Sequence, residues 1–223
     1  FYNRLIDALL ANGIRPFVTL FHWDYPQALA DRGAWANPDS PKWFEAYVSV
    51  CARRFGDRVK DFITLNEPQI VLKLGYADGI HAPGKRLSLP ELVSCWKNLM
   101  LAHGLSFRAI RKAAPEALIG IASTGKLCYP HSPADEDAAR QETFRLTDSD
   151  WMFTHAIVLD AVCLGRDEPE AGALRKLLSE VTPEEWDTMH AVPDFIGVNS
   201  YNGSEIAAGP DGAPVYLPRP QGF

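Results

Sequence analysis

The sequence predicts an α/β fold, a partial TIM or (β/α)8 barrel, and three observations predict it. Four short apolar runs, at 16–21, 59–63, 118–122 and 195–198, alternate with stretches whose apolar residues recur at helical spacing. That alternation is the mark of parallel strands joined by right-handed crossovers. Three of the runs end in polar and aromatic clusters: His22-Trp23-Asp24-Tyr25-Pro26, Asn66-Glu67-Pro68 and Asn199-Ser200-Tyr201-Asn202. The carboxyl ends of barrel strands are where catalytic groups gather. A whole barrel needs about 250 residues, so four strand–helix units in 223 residues suit half of one with long loops.

Taken in order, Phe1, Leu5, Ile6, Leu9 and Leu10 recur at helical spacing and stop at Asn12-Gly13, a helix end ahead of the first strand. Trp43, Phe44, Tyr47, Val50, Cys51 and Phe55 mark one face of a helix over 41–55, closed by Gly56 before the second strand. Ser88 with Glu91 three residues on is a capping box opening a long helix through Leu92, Trp96, Leu99, His103, Phe107 and Ile110. After the third strand, a helical stretch is expected over 133–164, then a shorter helix, then a second capping box at Thr182 and Glu185. The Gly and Pro residues beyond Tyr201, from Gly203 to Pro218 and Pro220, suggest a long active-site loop. No repeat or boundary divides the chain, so one domain over 1–223 is expected.

The composition, 47% hydrophobic and 22% charged, is that of a chain able to bury a large core. A net charge of −6 without a polybasic cluster argues against nucleic acid or an anionic membrane as partner. No apolar run approaches the roughly 18 residues that span a bilayer, and residues 1–4 show no leader pattern. Cys51, Cys95, Cys128 and Cys163 lie singly and far apart, which suggests free thiols and a cytoplasmic setting. The six histidines show no ligand spacing and the glycines no phosphate-loop fingerprint, so neither a metal nor a cofactor is expected.

Asn-Glu-Pro alone would be an ordinary strand-ending turn. In company with the His22 and Asn199 clusters, and with Gly75-Tyr76-Ala77-Asp78-Gly79-Ile80-His81-Ala82-Pro83-Gly84 behind it, it resembles the β-glucosidases and β-galactosidases of glycoside hydrolase family 1. The resemblance runs along nearly the whole chain and is weakest between 124 and 147. It implies that the four strands are the third to sixth of the barrel. It also implies a second glutamate, in a Thr-Glu-Asn-Gly motif on a later strand, which does not occur in these 223 residues. The chain is therefore expected to be an internal segment, with the opening strands and the nucleophile outside it.

Cleaving a glycosidic bond takes a proton for the leaving oxygen and a second carboxylate for the cationic sugar carbon. Glu67 is the candidate proton donor and later the base that activates water, a role that calls for burial or a neighbouring carboxylate. By resemblance, Asn66 contacts the hydroxyl beside the reacting carbon. His22 and Trp23 bind the non-reducing sugar, the imidazole holding hydroxyls and the indole N–H donating to one. Asn199 lies near the acid/base, and the Tyr201 hydroxyl touches the nucleophile and ring oxygen; without that carboxylate, Tyr201 is expected to face water. Ser200 stands where the family often has an aromatic. Asp24 is expected to hold its loop; Trp35, Trp96, Trp151 and Trp186 to pack.

The implied substrate is a β-glucoside or related oligosaccharide, unphosphorylated by the form of the His22-Trp23-Asp24 cluster. These 223 residues alone are expected to show negligible hydrolysis. A rival possibility is a non-catalytic fragment that binds sugar or a partner, self-associating through open barrel edges. A third is another barrel hydrolase in which Asp24 and Glu67 both act, which Asp24→Asn would expose by abolishing turnover.

Overall fold

The structure is a computed structural model that describes residues 1–218; Pro220 lies outside the described residues. Helix α1 (Tyr2–Ala11) leads to β1 (Phe17–Phe21), and α2 (Gln27–Ala30) precedes α3 (Ser40–Phe55) and β2 (Asp61–Asn66). Then α4 (Pro68–Ile70) passes through a π-helical stretch (Val71–Ala77) to α5 (Leu89–Ala113), β3 (Leu118–Thr124) and β4 (Cys128–Pro130). Helices α6 (Glu136–Phe144), α7 (Ala156–Leu159), α8 (Ala173–Leu178) and α9 (Pro183–Met189) lead to β5 (Phe195–Asn199), β6 (Ser204–Ala208) and β7 (Pro214–Tyr216).

The four expected strands form one all-parallel sheet in the order β1-β2-β3-β5. Each crossover carries helices, and burial of Phe62, Leu65, Ile119, Ile121, Trp96 and Leu99 fuses sheet and α5 into one core. Both capping boxes form: Ser88 N–H and Oγ–H reach Glu91 Oε2 at 2.8 and 2.6 Å, and Thr182 pairs reciprocally with Glu185. The indole of Trp96 donates to the Ile157 carbonyl at 2.7 Å. All four cysteines are free thiols. Among the described residues no helix is long and apolar enough to cross a membrane.

Three expectations are corrected. The 133–164 stretch is not one helix: α6 ends at Phe144, and 145–155 runs irregularly before α7. The break is built around Lys126, which ion-pairs with Glu142 and Asp150 at 2.7 Å each, and around buried Trp151, Thr154 and His155. The segment after Tyr201 is not all loop, because β6 pairs with β4 in parallel and with β7 in antiparallel, making a second, three-stranded sheet. On α3 the buried face is Phe44, Val48, Cys51 and Ala52, while Tyr47 and Val50 are exposed; on α1 only Ile6 is buried.

β1 and β5 are the two edges of the main sheet, and Phe17, Ile196 and Val198 remain exposed beside them. A cavity of about 290 Å³ wraps the end of β1, touching both Leu20 and Phe21 and walled by Trp35, Trp43, Phe44 and Tyr47.

Fully buried His103 ties α5 to the sheet, with Nδ1 2.7 Å from Thr64 Oγ1 and Nε2 3.0 Å from the Ala191 carbonyl. A carbonyl only accepts, so Nε2 carries the proton and Nδ1 accepts from Thr64. Burial pushes the His103 pKa down from 6.5 to about 4, against which the Ala191 bond acts weakly. The unfolded chain then binds the extra proton, so this contribution is whole above pH 6.5 and is lost as pH falls from there toward 4. We expect urea denaturation to show stability declining by up to about 1.4 kcal/mol per pH unit in that window. His103→Gln should flatten the slope; an unchanged slope would refute the assignment.

Candidate active site

Glu67 sits where β2 ends, and its backbone makes an abrupt turn. Its φ of 48° and ψ of 60° place a non-glycine residue in the left-handed region, a strain of about 1–3 kcal/mol. The following Pro68 disfavours the right-handed helical alternative for the residue before it. The turn swings the side chain inward: Glu67 is 3% exposed. Trp23, with φ 80°, is a second left-handed residue at the end of β1. Such outliers persist only where the surroundings hold them, and they cluster at functional sites.

Asn199, at the end of β5, donates from Nδ2 to Glu67 Oε1 at 2.5 Å and to Asn66 Oδ1 at 3.2 Å. The Tyr201 hydroxyl donates to the same Glu67 oxygen at 3.3 Å. Among the described residues Glu67 Oε2 carries no hydrogen bond, both contacts falling on Oε1. With Asn66 Oδ1 accepting from Asn199, its Nδ2 must donate, and it does so toward His22 Nε2 at 3.3 Å. The His22 ring proton therefore sits on Nδ1. Trp23 Nε1 donates to the Asn66 backbone carbonyl at 3.0 Å, and its ring lies 5.5 Å from that of His81.

All six expected residues, His22, Trp23, Asn66, Glu67, Asn199 and Tyr201, thus come to one end of the sheet. One expected contact is corrected. Tyr201 bonds to Glu67 rather than facing water alone, and the charge of Glu67 raises the Tyr201 pKa, with desolvation and the hydrogen bond adding to it. The Trp23 indole N–H, expected to reach a sugar hydroxyl, donates to the Asn66 backbone carbonyl. Asp24 is exposed. Trp151, expected to pack, is buried in the core.

Four residues that the sequence did not single out underlie the site. Gln69, Ser123, Thr124 and His155 are buried beside the ends of β2 and β3. The available signal was Ser123-Thr124, a polar pair ending an apolar run at the same edge as the other clusters. Among the described residues no group of three or more His, Cys, Asp or Glu side chains could hold a metal ion.

A carboxyl group fixed by an amide and a phenol, beside an imidazole and an indole on neighbouring strands, can hand a proton to an oxygen and take one from water. The sequence profile described as glycosyl hydrolase family 1 matches residues 1–214. The chain is 36% identical to β-glucosidase A of Thermotoga maritima over 215 residues, 95% of this chain and 46% of that protein. It is 40% identical to β-glucosidase 25 of Oryza sativa subsp. japonica over 226 aligned positions, 90% of this chain and 42% of that protein. The solved β-glucosidase from Thermotoga maritima in complex with noeuromycin superposes with a TM-score of 0.80 at 34% identity, covering 98% of this chain and 48% of that one. The chain spans about half the length of the curated relatives it matches. With a strand-end cluster of this make-up on half of a TIM barrel, and a match along almost its whole length, the chain belongs to glycosyl hydrolase family 1.

Proposed function

We propose that these residues form the central part, one domain, of a retaining β-glycosidase that releases terminal non-reducing β-D-glucosyl residues, with Glu67 as acid/base. The observation that carries this reading is the Glu67 carboxyl, buried at a strand end and held by Asn199 and Tyr201. His22 and Asn66 complete a hydrogen-bonding wall suited to sugar hydroxyls, and the Trp23 ring gives a stacking face. Retention requires a second carboxylate about 5–5.5 Å from the acid. Among the described residues the side chains gathered around Glu67 are two asparagines, a tyrosine, a histidine and a tryptophan, none of which is a carboxylate.

Two outcomes follow. The full-length protein should hydrolyse an aryl β-glucoside, and proton NMR should show the β-anomer of glucose forming first. An α-anomer formed first, or no turnover, would reject the proposal. The isolated 223-residue chain should show no turnover above background; measurable hydrolysis by it would overturn the need for a nucleophile from elsewhere.

A further inference from the structure

Glu67 adopts a left-handed backbone ahead of proline, at the point where β2 gives way to the helical run of α4 and the π-helical stretch. Something outside this segment must hold it, and the holds come from three consecutive residues of β3. The Ala122 carbonyl accepts the Glu67 N–H at 2.8 Å. Ser123 Oγ accepts from Gln69 Nε2 at 2.7 Å. Thr124 Oγ1 donates to the Asn199 carbonyl at 3.1 Å, fixing the amide that holds the Glu67 carboxyl. β3 thus supplies none of the sugar-facing groups and yet ties down both Glu67 and its amide partner.

The middle hold is the least expected. Gln69 is fully buried, and its Nε2 also reaches the Thr154 carbonyl at 3.3 Å. That carbonyl fixes which end of the amide is the donor. Ser123 Oγ, receiving from Gln69, also lies 2.9 Å from His155 Nδ1, to which its own hydrogen can be given. That direction suits a neutral imidazole, and burial lowers the His155 pKa in that sense. Gln69 Oε1 meanwhile is buried with no hydrogen-bond partner among the described residues. An unpaired buried acceptor is costly, so the donor end is what this position requires.

We propose that Gln69 and Ser123 are positioning residues for Glu67, a side-chain latch that fastens the first turn after β2 to the end of β3. The latch keeps the acid within reach of a departing oxygen. This rests on the reading of Glu67 as general acid. A displacement of about 1 Å in a reacting group can cost on the order of 100-fold, and the loss falls where proton donation matters. Phenol is a poor leaving group that needs the proton, whereas 2,4-dinitrophenol leaves without it.

The test compares Gln69→Met, which keeps the volume and removes the donor, and Ser123→Ala in the full-length protein. Each should lower kcat/KM for phenyl β-glucoside by about 30–100-fold while costing 2,4-dinitrophenyl β-glucoside under about threefold. Equal losses on both substrates would reduce Gln69 to a packing residue and overturn the latch. A second measurement does not depend on turnover. By NMR hydrogen exchange, Gln69→Met should speed exchange of the Glu67 amide about tenfold or more, with Phe62 and Leu65 staying protected. Unchanged exchange at Glu67 would overturn the latch. A full-length protein that hydrolysed neither glucoside would fail the β-glycosidase reading alone, with the exchange result still deciding the latch.

Discussion

Glu67→Gln in the full-length protein is expected to cut steady-state turnover of phenyl β-glucoside by about 10²–10⁴-fold. Glutamine keeps the shape and still offers an oxygen to Asn199 Nδ2 and the Tyr201 hydroxyl, so the hydrogen-bonded frame survives and only the transferable proton goes. The leaving group then decides the pattern. With 2,4-dinitrophenyl β-glucoside the first step needs no acid, so glycosyl-enzyme should form and accumulate, giving a burst of dinitrophenol. Its hydrolysis still needs a base on water, which glutamine cannot provide, so the steady state should stay slow. Azide attacks without a base and should restore turnover, with glucosyl azide as product. Phenyl glucoside turnover within tenfold of the unaltered protein would remove Glu67 from the acid/base role, and Asp24→Asn would then be the substitution to make.

The four strands of the main sheet were legible because each is an apolar run set between helical stretches, the pattern of parallel strands joined by crossovers. The second sheet was not. Cys128-Tyr129-Pro130 contains a proline, and Ser204–Ala208 reads Ser-Glu-Ile-Ala-Ala, weak strand sequence by itself. Those segments are strands because β4 and β6, more than seventy positions apart, lie side by side, which no local pattern encodes. The α3 face failed for a related reason. Its apolar residues are spread around more of the helix than a neighbour covers, so Tyr47 and Val50 stay exposed while Val48 and Ala52 are buried. At the site, His22, Asn66, Glu67 and Asn199 could be found because polar side chains at the ends of apolar runs stand out. Gln69 and His155 could not. Each is a lone polar residue whose partners, Ser123 and Thr154, are set by the crossing of β3 with the loop before α7.

Gly104→Ala should be the most damaging single methyl group in the chain. Gly104 lies midway along α5 on the side that meets α9. A Cβ built there would stand 1.7 Å from the Thr188 carbonyl oxygen and 2.8 Å from its carbon, where real contacts begin near 3.4 Å. Both atoms are backbone, so no rotamer change can relieve the overlap, and α9 would have to move off α5 as a unit. That movement would strain the Lys97–Glu185 ion pair and the segment that brings Ala191 to His103. Overpacking at a site that cannot give is expected to cost about 3–5 kcal/mol, read as a fall in the urea midpoint. Gly13→Ala is the control that separates crowding from backbone strain. Gly13 has φ +71° and no atom within 4 Å of a built Cβ, so its cost should be about 1–2 kcal/mol, from the left-handed conformation alone. If the two substitutions proved equally mild, the close approach of α5 and α9 would be wrong.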